Sequence, residues 1–156
     1  MTEEEKKFAI KINLDKAKKK TMIPIVLISI SLLTYIMPLL FGEFDFGIFF
    51  EIISLIFLII SRSYMSKYNV DKSKRYIICS MVAIGWILIY DIIYFISSIQ
   101  DSFDFIFAGC DFLWSQMLSI LYLLFLFVID RDIAKADNPM KYKESTDWFY
   151  EKYEKK

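Results

Sequence analysis

The Lys and Arg residues of this chain are confined to three blocks, and long apolar stretches separate the blocks. All 19 basic residues lie before Thr21, between Arg62 and Arg75, or after Asp130. Short segments rich in positive charge stay on the cytoplasmic side of a membrane. The pattern therefore predicts that the chain enters the membrane from the cytoplasm, crosses it four times, and has both termini in the cytoplasm.

The apolar stretches between the blocks are long enough to span a bilayer. The chain has 156 residues, of which 56% are hydrophobic, and a mean hydropathy of +0.42, which is too apolar for a soluble domain of this size. A transmembrane helix needs about 20 apolar residues. We therefore predict an all-α polytopic membrane protein, a bundle of four antiparallel transmembrane helices at about 22–41, 47–65, 76–98 and 105–129.

Three regions follow from this pattern. Residues 1–21 are a basic N-terminal arm in the cytoplasm, 22–130 the transmembrane domain, and 131–156 a cytoplasmic tail. The two outer connections have about six residues each and carry only acidic charges, so neighbouring helices must be antiparallel. The arm alternates apolar and polar residues from Phe8 to Leu14, which is typical of a strand, while a surface helix or a disordered basic arm remains open.

The C-terminal tail predicts a second contact with the membrane. Asn138-Pro139 ends the helix that leaves the bilayer. A short amphipathic helix is expected further on, where Trp148, Phe149 and Tyr153 are mixed with lysines. Such residues suit the inner headgroup region, and docking to a protein partner is the competing interpretation.

Three carboxylates fall inside the predicted spans: Glu51, Asp91 and Asp111. Counted from the outer ends of their helices, all three lie about 6 to 11 Å below the outer boundary. No Lys or Arg of the chain can reach that depth, so each carboxylate must be protonated, face water, bind a cation or pair with a basic residue of another protein. We predict that the three converge on one cation or proton site. Separate protonated carboxyl groups, held by neighbouring hydroxyls, are the alternative.

The residue types around these carboxylates limit what the site can bind. Oxygen ligands favour hard cations or a proton. The chain has no His, which argues against zinc or copper and leaves the identity of any metal unknown. Nearby aromatic residues and a hydroxyl are candidates for a wall around an organic cation: Trp86, Tyr90, Tyr94, Trp114 and Ser115.

Two short motifs resemble those of the intramembrane aspartyl proteases. Tyr90-Asp91 and Gly109-Cys110-Asp111 are similar to the Tyr-Asp and Gly-x-Gly-Asp motifs of that family, which implies two aspartates that share a proton and activate water. Cys110 stands where the family has Gly, and the Pro-Ala-Leu element is missing. The chain also has no His for a general base, no Gly-x-Ser-x-Gly elbow and no phosphate-binding loop, and no cofactor is expected.

The sequence therefore predicts a non-enzymatic, multi-pass protein of the plasma membrane. Its expected role is that of a small subunit with an outer-leaflet acidic site for a cation or proton, in transport or a channel-like function. The alternative is a scaffold protein that recruits a partner through its cytoplasmic tails. Expected partners are the lipid bilayer, further copies of the chain or a larger membrane protein, and a cation. The tails hold nearly as many acids as bases, so no nucleic acid is expected.

Overall fold

The computed structural model describes residues 3–34, 40, 46–98 and 105–139, and no strand occurs among them. Almost all of these residues are helical because the apolar stretches must satisfy their backbone groups internally. The helices are α1 (Glu3–Lys20), α2 (Met22–Thr34), α3 (Gly47–Ser66), α4 (Val70–Ser98) and α5 (Phe105–Asp137).

Three helices are long and apolar enough to cross a membrane: Gly47–Ser66, Val70–Ser97 and Phe112–Asp137. Much of their surface carries large apolar side chains that point away from the protein; Ile59 is 52% exposed and Phe127 60% exposed. The described part of α2 has 13 residues, a length of about 20 Å, and the predicted end of the first span at Phe41 lies outside the described residues. By length and composition, this is a helical multi-pass membrane protein.

Neighbouring helices run in opposite directions. α3 packs against α4, α4 against α5, and α2 against both α3 and α5. Residues late in one helix contact residues early in the next, and Lys20 and Thr21, directly before α2, contact residues late in α5 and α3. The contacts are Ser31 with Glu51 and Thr21 with Arg62, Ser54 with Ser80 and Ser61 with Ser73, Phe95 with Phe112 and Lys74 with Asp137, and Leu27 with Tyr122 and Lys20 with Asp132. These contacts also define which residues of neighbouring helices lie at the same level.

The N-terminal segment is the helix α1, not the strand that its alternating pattern favours. Leu14 and Ala17 are fully buried and lie one turn apart on one helix face. They belong to the same apolar cluster as Ile133 and Ala136 of α5. A single strand in this place would leave its backbone N–H and C=O groups unsatisfied, whereas the helix satisfies them and still buries an apolar face.

A single residue, Thr21, separates α1 from α2. Its N–H donates to the Ala17 carbonyl at 3.0 Å, and its hydroxyl donates to the Lys18 carbonyl at 2.7 Å. Pro24 has no N–H to offer the Lys20 carbonyl one turn earlier, and its ring crowds that carbonyl. The interruption between the two helices therefore falls at this point.

Charged side chains tie α1 to the other helices where α2 begins. Nζ of Lys20 lies 2.5 Å from Oδ2 of Asp132, whose side chain is 8% exposed. Nη1 of Arg62 donates to the Lys18 carbonyl and, at 3.1 Å, to the Thr21 hydroxyl. A cation at the last carbonyls of α1 also suits the negative end of the helix dipole. We call this end of the protein the basic end.

The turn between α3 and α4 is a Schellman motif. The N–H of Tyr68 donates to the Met65 carbonyl, and the N–H of Asn69 donates to the Tyr64 carbonyl, both at 3.1 Å. The Asn69 side chain then caps α4 by accepting from the Lys72 N–H at 3.0 Å. Tyr68 has a φ of 53°, a left-handed conformation that costs a residue with a Cβ about 1 kcal/mol or more.

Replacing Tyr68 by glycine is therefore expected to raise the free energy of unfolding by about 1 kcal/mol, because glycine adopts this φ without the steric cost. Thermal unfolding of the purified protein in detergent measures the change. Tyr68→Ala is the matched control, since it removes the ring and keeps the strain. An equal gain in both variants would show that the exposed ring, and not the backbone, is the unfavourable feature.

Candidate functional site

The carboxylate of Glu51 lies where three helices meet. Glu51 is on α3 and only 5% exposed, and the Ser31 hydroxyl of α2 donates to its Oε1 at 3.0 Å. Tyr122 of α5 is 2% exposed, and its hydroxyl donates to the Leu27 carbonyl at 3.4 Å. The Tyr122 side chain lies beside those of Ser31 and Glu51. We call Glu51, Ser31 and Tyr122 the Glu51 site.

The face of α3 that carries Glu51 is its only buried face. The buried residues follow the spacing of four and three that places them on one stripe of a helix, and most of them are small or polar: Gly47, Glu51, Ser54, Leu58, Ser61 and Met65. Large apolar residues such as Ile52 and Ile56 are 42% and 48% exposed. Small residues let helices approach closely in a membrane. The small and polar residues of α3 therefore face the other helices, and Glu51, on the same stripe, points towards the interior.

Asp91 lies in a second polar group between α4 and α5. The Ser115 hydroxyl donates to its Oδ2, and the Gln116 amide donates to the same atom at 3.4 Å and to the Leu88 carbonyl at 3.3 Å. Asp91 is half-buried. Ser115 is thus a hydroxyl partner of Asp91, and its role in a site wall stays a prediction. Gln116 is a partner that the sequence analysis missed, although it is the one amide side chain in the apolar part of α5.

The helix register separates the levels of Glu51 and Asp91. Phe50 stacks on Trp86 and Ser54 bonds to Ser80, so Glu51 is level with residues 83–85 of α4. Asp91 lies about seven residues, or roughly 10 Å, further along that helix. Asp111 is in α5, one turn beyond Ser115 in the same direction, and its side chain lies outside the described residues.

The stagger arises because the helices do not end at one depth. Phe46, directly before α3, packs against Tyr90, and α4 continues from there to Ser98. The sequence-based prediction counts residues from the outer end of each helix and so places all three carboxylates in one layer. That count assumes that the outer ends of the helices lie at the same level. The assignment of all three to a single site therefore stays a prediction.

The Glu51 site lies about three helical turns from the basic end. Along their helices, Glu51 to Arg62, Ser31 to Lys20 and Tyr122 to Asp132 are each ten or eleven residues apart. This corresponds to about 15 Å, half of a hydrocarbon core of about 30 Å. Glu51 also lies four residues after the first residue of α3, and its outer-leaflet depth stays a prediction.

The predicted aromatic wall takes a different arrangement. Trp86, Tyr94 and Trp114 are 53%, 59% and 65% exposed and lie on the outer surface of the helices, where lipid would contact them. Tyr90 packs against Phe46 and Tyr94. Trp86 also stacks on Phe50 of α3. Such exposed positions suit aromatic residues of the membrane interface. The wall around an organic cation stays a prediction.

Among the described residues, no three or more His, Cys, Asp or Glu side chains form a group that could hold a metal ion. The predicted membrane-surface residues Trp148, Phe149 and Tyr153 lie outside the described part of the chain, as does the Asp111 side chain required for a protease-like pair with Asp91. No protein-family model, curated protein or solved structure matches the chain.

Proposed function

We propose that this chain is a non-enzymatic plasma-membrane protein with four transmembrane helices and both termini in the cytoplasm. In this proposal it acts as a small subunit, in an oligomer or beside a larger membrane protein, and has a transport or channel-like role. Its central feature is a carboxylate, Glu51, that takes up a proton or a cation. The observation that carries the proposal is the burial of Glu51 between α2, α3 and α5 at 5% exposure.

The charge distribution supports the proposed topology. Three helices suffice in length and apolarity for a membrane, and the predicted first span begins with α2. Lys20, Arg62, Lys74 and Asp132 lie together at the basic end. Positively charged segments remain in the cytoplasm, so the proposal places the basic end on the cytoplasmic side.

A buried carboxylate at this depth favours ligand binding over a purely structural role. The sequence has no Lys or Arg from Thr21 to Ser61 or from Tyr76 to Asp130, so none of the described helices brings a basic residue to the level of Glu51. An ionised carboxylate is costly in the apolar core of a membrane. That cost disappears when a proton or a cation binds. The occupancy of Glu51 is then coupled to the pH or the cation concentration of the solution.

Reaction with dicyclohexylcarbodiimide, an apolar reagent that modifies protonated carboxyl groups, tests this proposal. We expect mass spectrometry of the purified protein to find the adduct on Glu51, with a yield that falls as the pH rises. Acid, or a cation that competes for the site, should also raise the thermal stability, since a ligand that binds only the folded state stabilises it. In Glu51→Gln both effects should be lost.

Asp137→Asn is the matched control, because this carboxylate is 48% exposed and should not respond to the reagent or to cations in the same way. Neutral Glu51→Gln protein should remain folded, since the substitution removes a costly buried charge. If Glu51 stays unmodified at every pH and the thermal stability of Glu51→Gln responds to acid and cations as wild type does, Glu51 is a passive structural group and the proposal fails.

A further inference from the structure

The Glu51 site belongs to a longer series of polar side chains inside the protein. Asp91 and Ser115, which lie furthest from the basic end, are half-buried. The other members are each at most 9% exposed. Apolar residues such as Ile84 and Ile87 fill the rest of the interior. We call the series the polar file: Asp91, Ser115, Ser119, Tyr122, Ser31, Glu51, Ser54 and Ser80.

Tyr122 and Ser31 meet between α5 and α2, and the other neighbouring members of the polar file are joined in one of two ways. Some are hydrogen-bonded across helices, as in Ser115 with Asp91, Ser31 with Glu51 at 3.0 Å, and Ser54 with Ser80 at 2.7 Å. The others lie three or four residues apart on one helix face, where side chains are neighbours. Ser115, Ser119 and Tyr122 follow this spacing on α5, and Glu51 and Ser54 follow it on α3.

The polar file stops about two turns short of the polar groups at the basic end. Leu58, Ile77 and Leu126 are fully buried and lie three or four residues beyond Ser54, Ser80 and Tyr122 on the same helices. We call these three residues the apolar layer. Beyond it, Ser61 donates to the Ser73 carbonyl at 2.9 Å. The step from Ser54 to Ser61 spans seven residues, or about 10 Å.

We propose that the polar file conducts protons to Glu51 from the end marked by Asp91, and that the apolar layer blocks their passage to the basic end. This inference rests on the proposed function and names its ion and its side of access. Hydroxyl groups both donate and accept hydrogen bonds, so each hydroxyl accepts a proton on its oxygen as its own O–H bond breaks and its proton moves to the next acceptor. Between side chains three or four residues apart on one helix, about 5 to 6 Å between Cβ atoms, a water molecule must bridge the step. A metal ion would need six or more oxygen ligands for calcium or magnesium, whereas the polar file offers one hydroxyl at most steps.

The groups that titrate near Glu51 are consistent with a single proton acceptor at this level. From α5 the titratable neighbour is Tyr122, and α2 has no titratable side chain from Met22 to Thr34. On α4, Asp91 and Tyr90 lie further towards the end remote from the basic end. A proton that enters at Asp91 therefore has Glu51 as its next carboxylate.

Replacing Leu58 by serine should open the apolar layer. In liposomes with a pH gradient and an enclosed pH-sensitive dye, we expect the proton leak of Leu58→Ser to exceed that of Ile59→Ser roughly five-fold, equivalent to one added hydrogen bond of about 1 kcal/mol. Ile59 is the next residue on α3 and is 52% exposed, so its variant carries the same chemical change on the outer surface. Equal leaks from the two variants would overturn the apolar layer as the barrier.

A second substitution separates conduction along hydroxyls from a simple water leak. Adding Ser119→Ala to Leu58→Ser should return most of the leak to the level of Ile59→Ser, whereas adding Ile120→Ala, at a residue 51% exposed, should not. A leak that ignores Ser119→Ala would overturn the polar file. The carbodiimide adduct on Glu51 of the wild-type protein is scored separately, so that failure of the proposed function is distinguished from failure of this path.

The side of access is measurable without any substitution. In sealed vesicles of known orientation with different pH values inside and outside, the carbodiimide adduct on Glu51 should follow the pH on the side of Asp91 and ignore the pH at the basic end. This measurement still decides the matter if Leu58→Ser does not fold. Labelling that follows the pH at the basic end would overturn the proposal.

Discussion

Replacing Tyr122 by alanine is expected to lower the free energy of unfolding by about 3 to 5 kcal/mol, the range found when a buried aromatic side chain is truncated. Tyr122 is 2% exposed, and its hydroxyl bonds to the Leu27 carbonyl of α2. Its loss would leave a cavity beside Ser31 and Glu51 and remove the main link between α5 and α2 at this level. Denaturant-induced unfolding in detergent micelles, followed by circular dichroism, measures the change.

Two variants control this prediction. Tyr122→Phe keeps the ring and should cost only about 1 kcal/mol, the contribution of one hydrogen bond. Phe127→Ala removes a ring of similar size from the outer surface of the same helix, where it is 60% exposed, and should cost much less than Tyr122→Ala. A loss at Phe127 that equals the loss at Tyr122 would mean that α5 is rotated relative to the described packing.

Replacing Asp132 by alanine is expected to release α1 from the rest of the protein. The substitution leaves Lys20 without its 2.5 Å partner. A hydrogen bond to a charged group contributes about 2 kcal/mol, so the local unfolding equilibrium of α1 should shift roughly thirty-fold. Trypsin, which cleaves after lysine, reports this shift as faster cleavage at Lys16 and Lys18, because cleavage within a helix requires local unfolding.

The control is a second ion pair, which joins α4 to α5 instead of α1 to α5. Nζ of Lys74 and Oδ2 of Asp137 are 3.6 Å apart, with side chains 39% and 48% exposed, and such exposed pairs contribute little. Asp137→Ala should therefore leave the trypsin cleavage of α1 close to that of wild type. If Asp132→Ala has no larger effect than Asp137→Ala, apolar packing of Leu14 and Ala17 alone holds the helix.

Much of the helical architecture could be predicted from local sequence. The helix α3 has the bounds of the predicted second span to within one residue, and α4 ends at Ser98, where the predicted third span ends. Helix ends are predictable here because they depend on the length of the apolar stretch and on a few neighbouring turn residues. The stripe of Gly47, Glu51, Ser54 and Ser61 is equally local, and it points Glu51 inward before any partner is known. Polar residues at that spacing in apolar helices were the available signal for Ser54, Ser80, Ser119 and Tyr122.

The sequence by itself determined that this is an apolar, helical, multi-pass protein with its basic residues in three blocks and three carboxylates inside its apolar stretches. Only the tertiary structure decided that α1 is a helix. Its apolar face is buried in one cluster with Ile133 and Ala136, more than a hundred residues away, and this burial stabilises the helix. The tertiary structure also decided the stagger between Glu51 and Asp91. Depth depends on how far neighbouring helices slide past one another, and this register is set by contacts between helices rather than by the composition of any one of them.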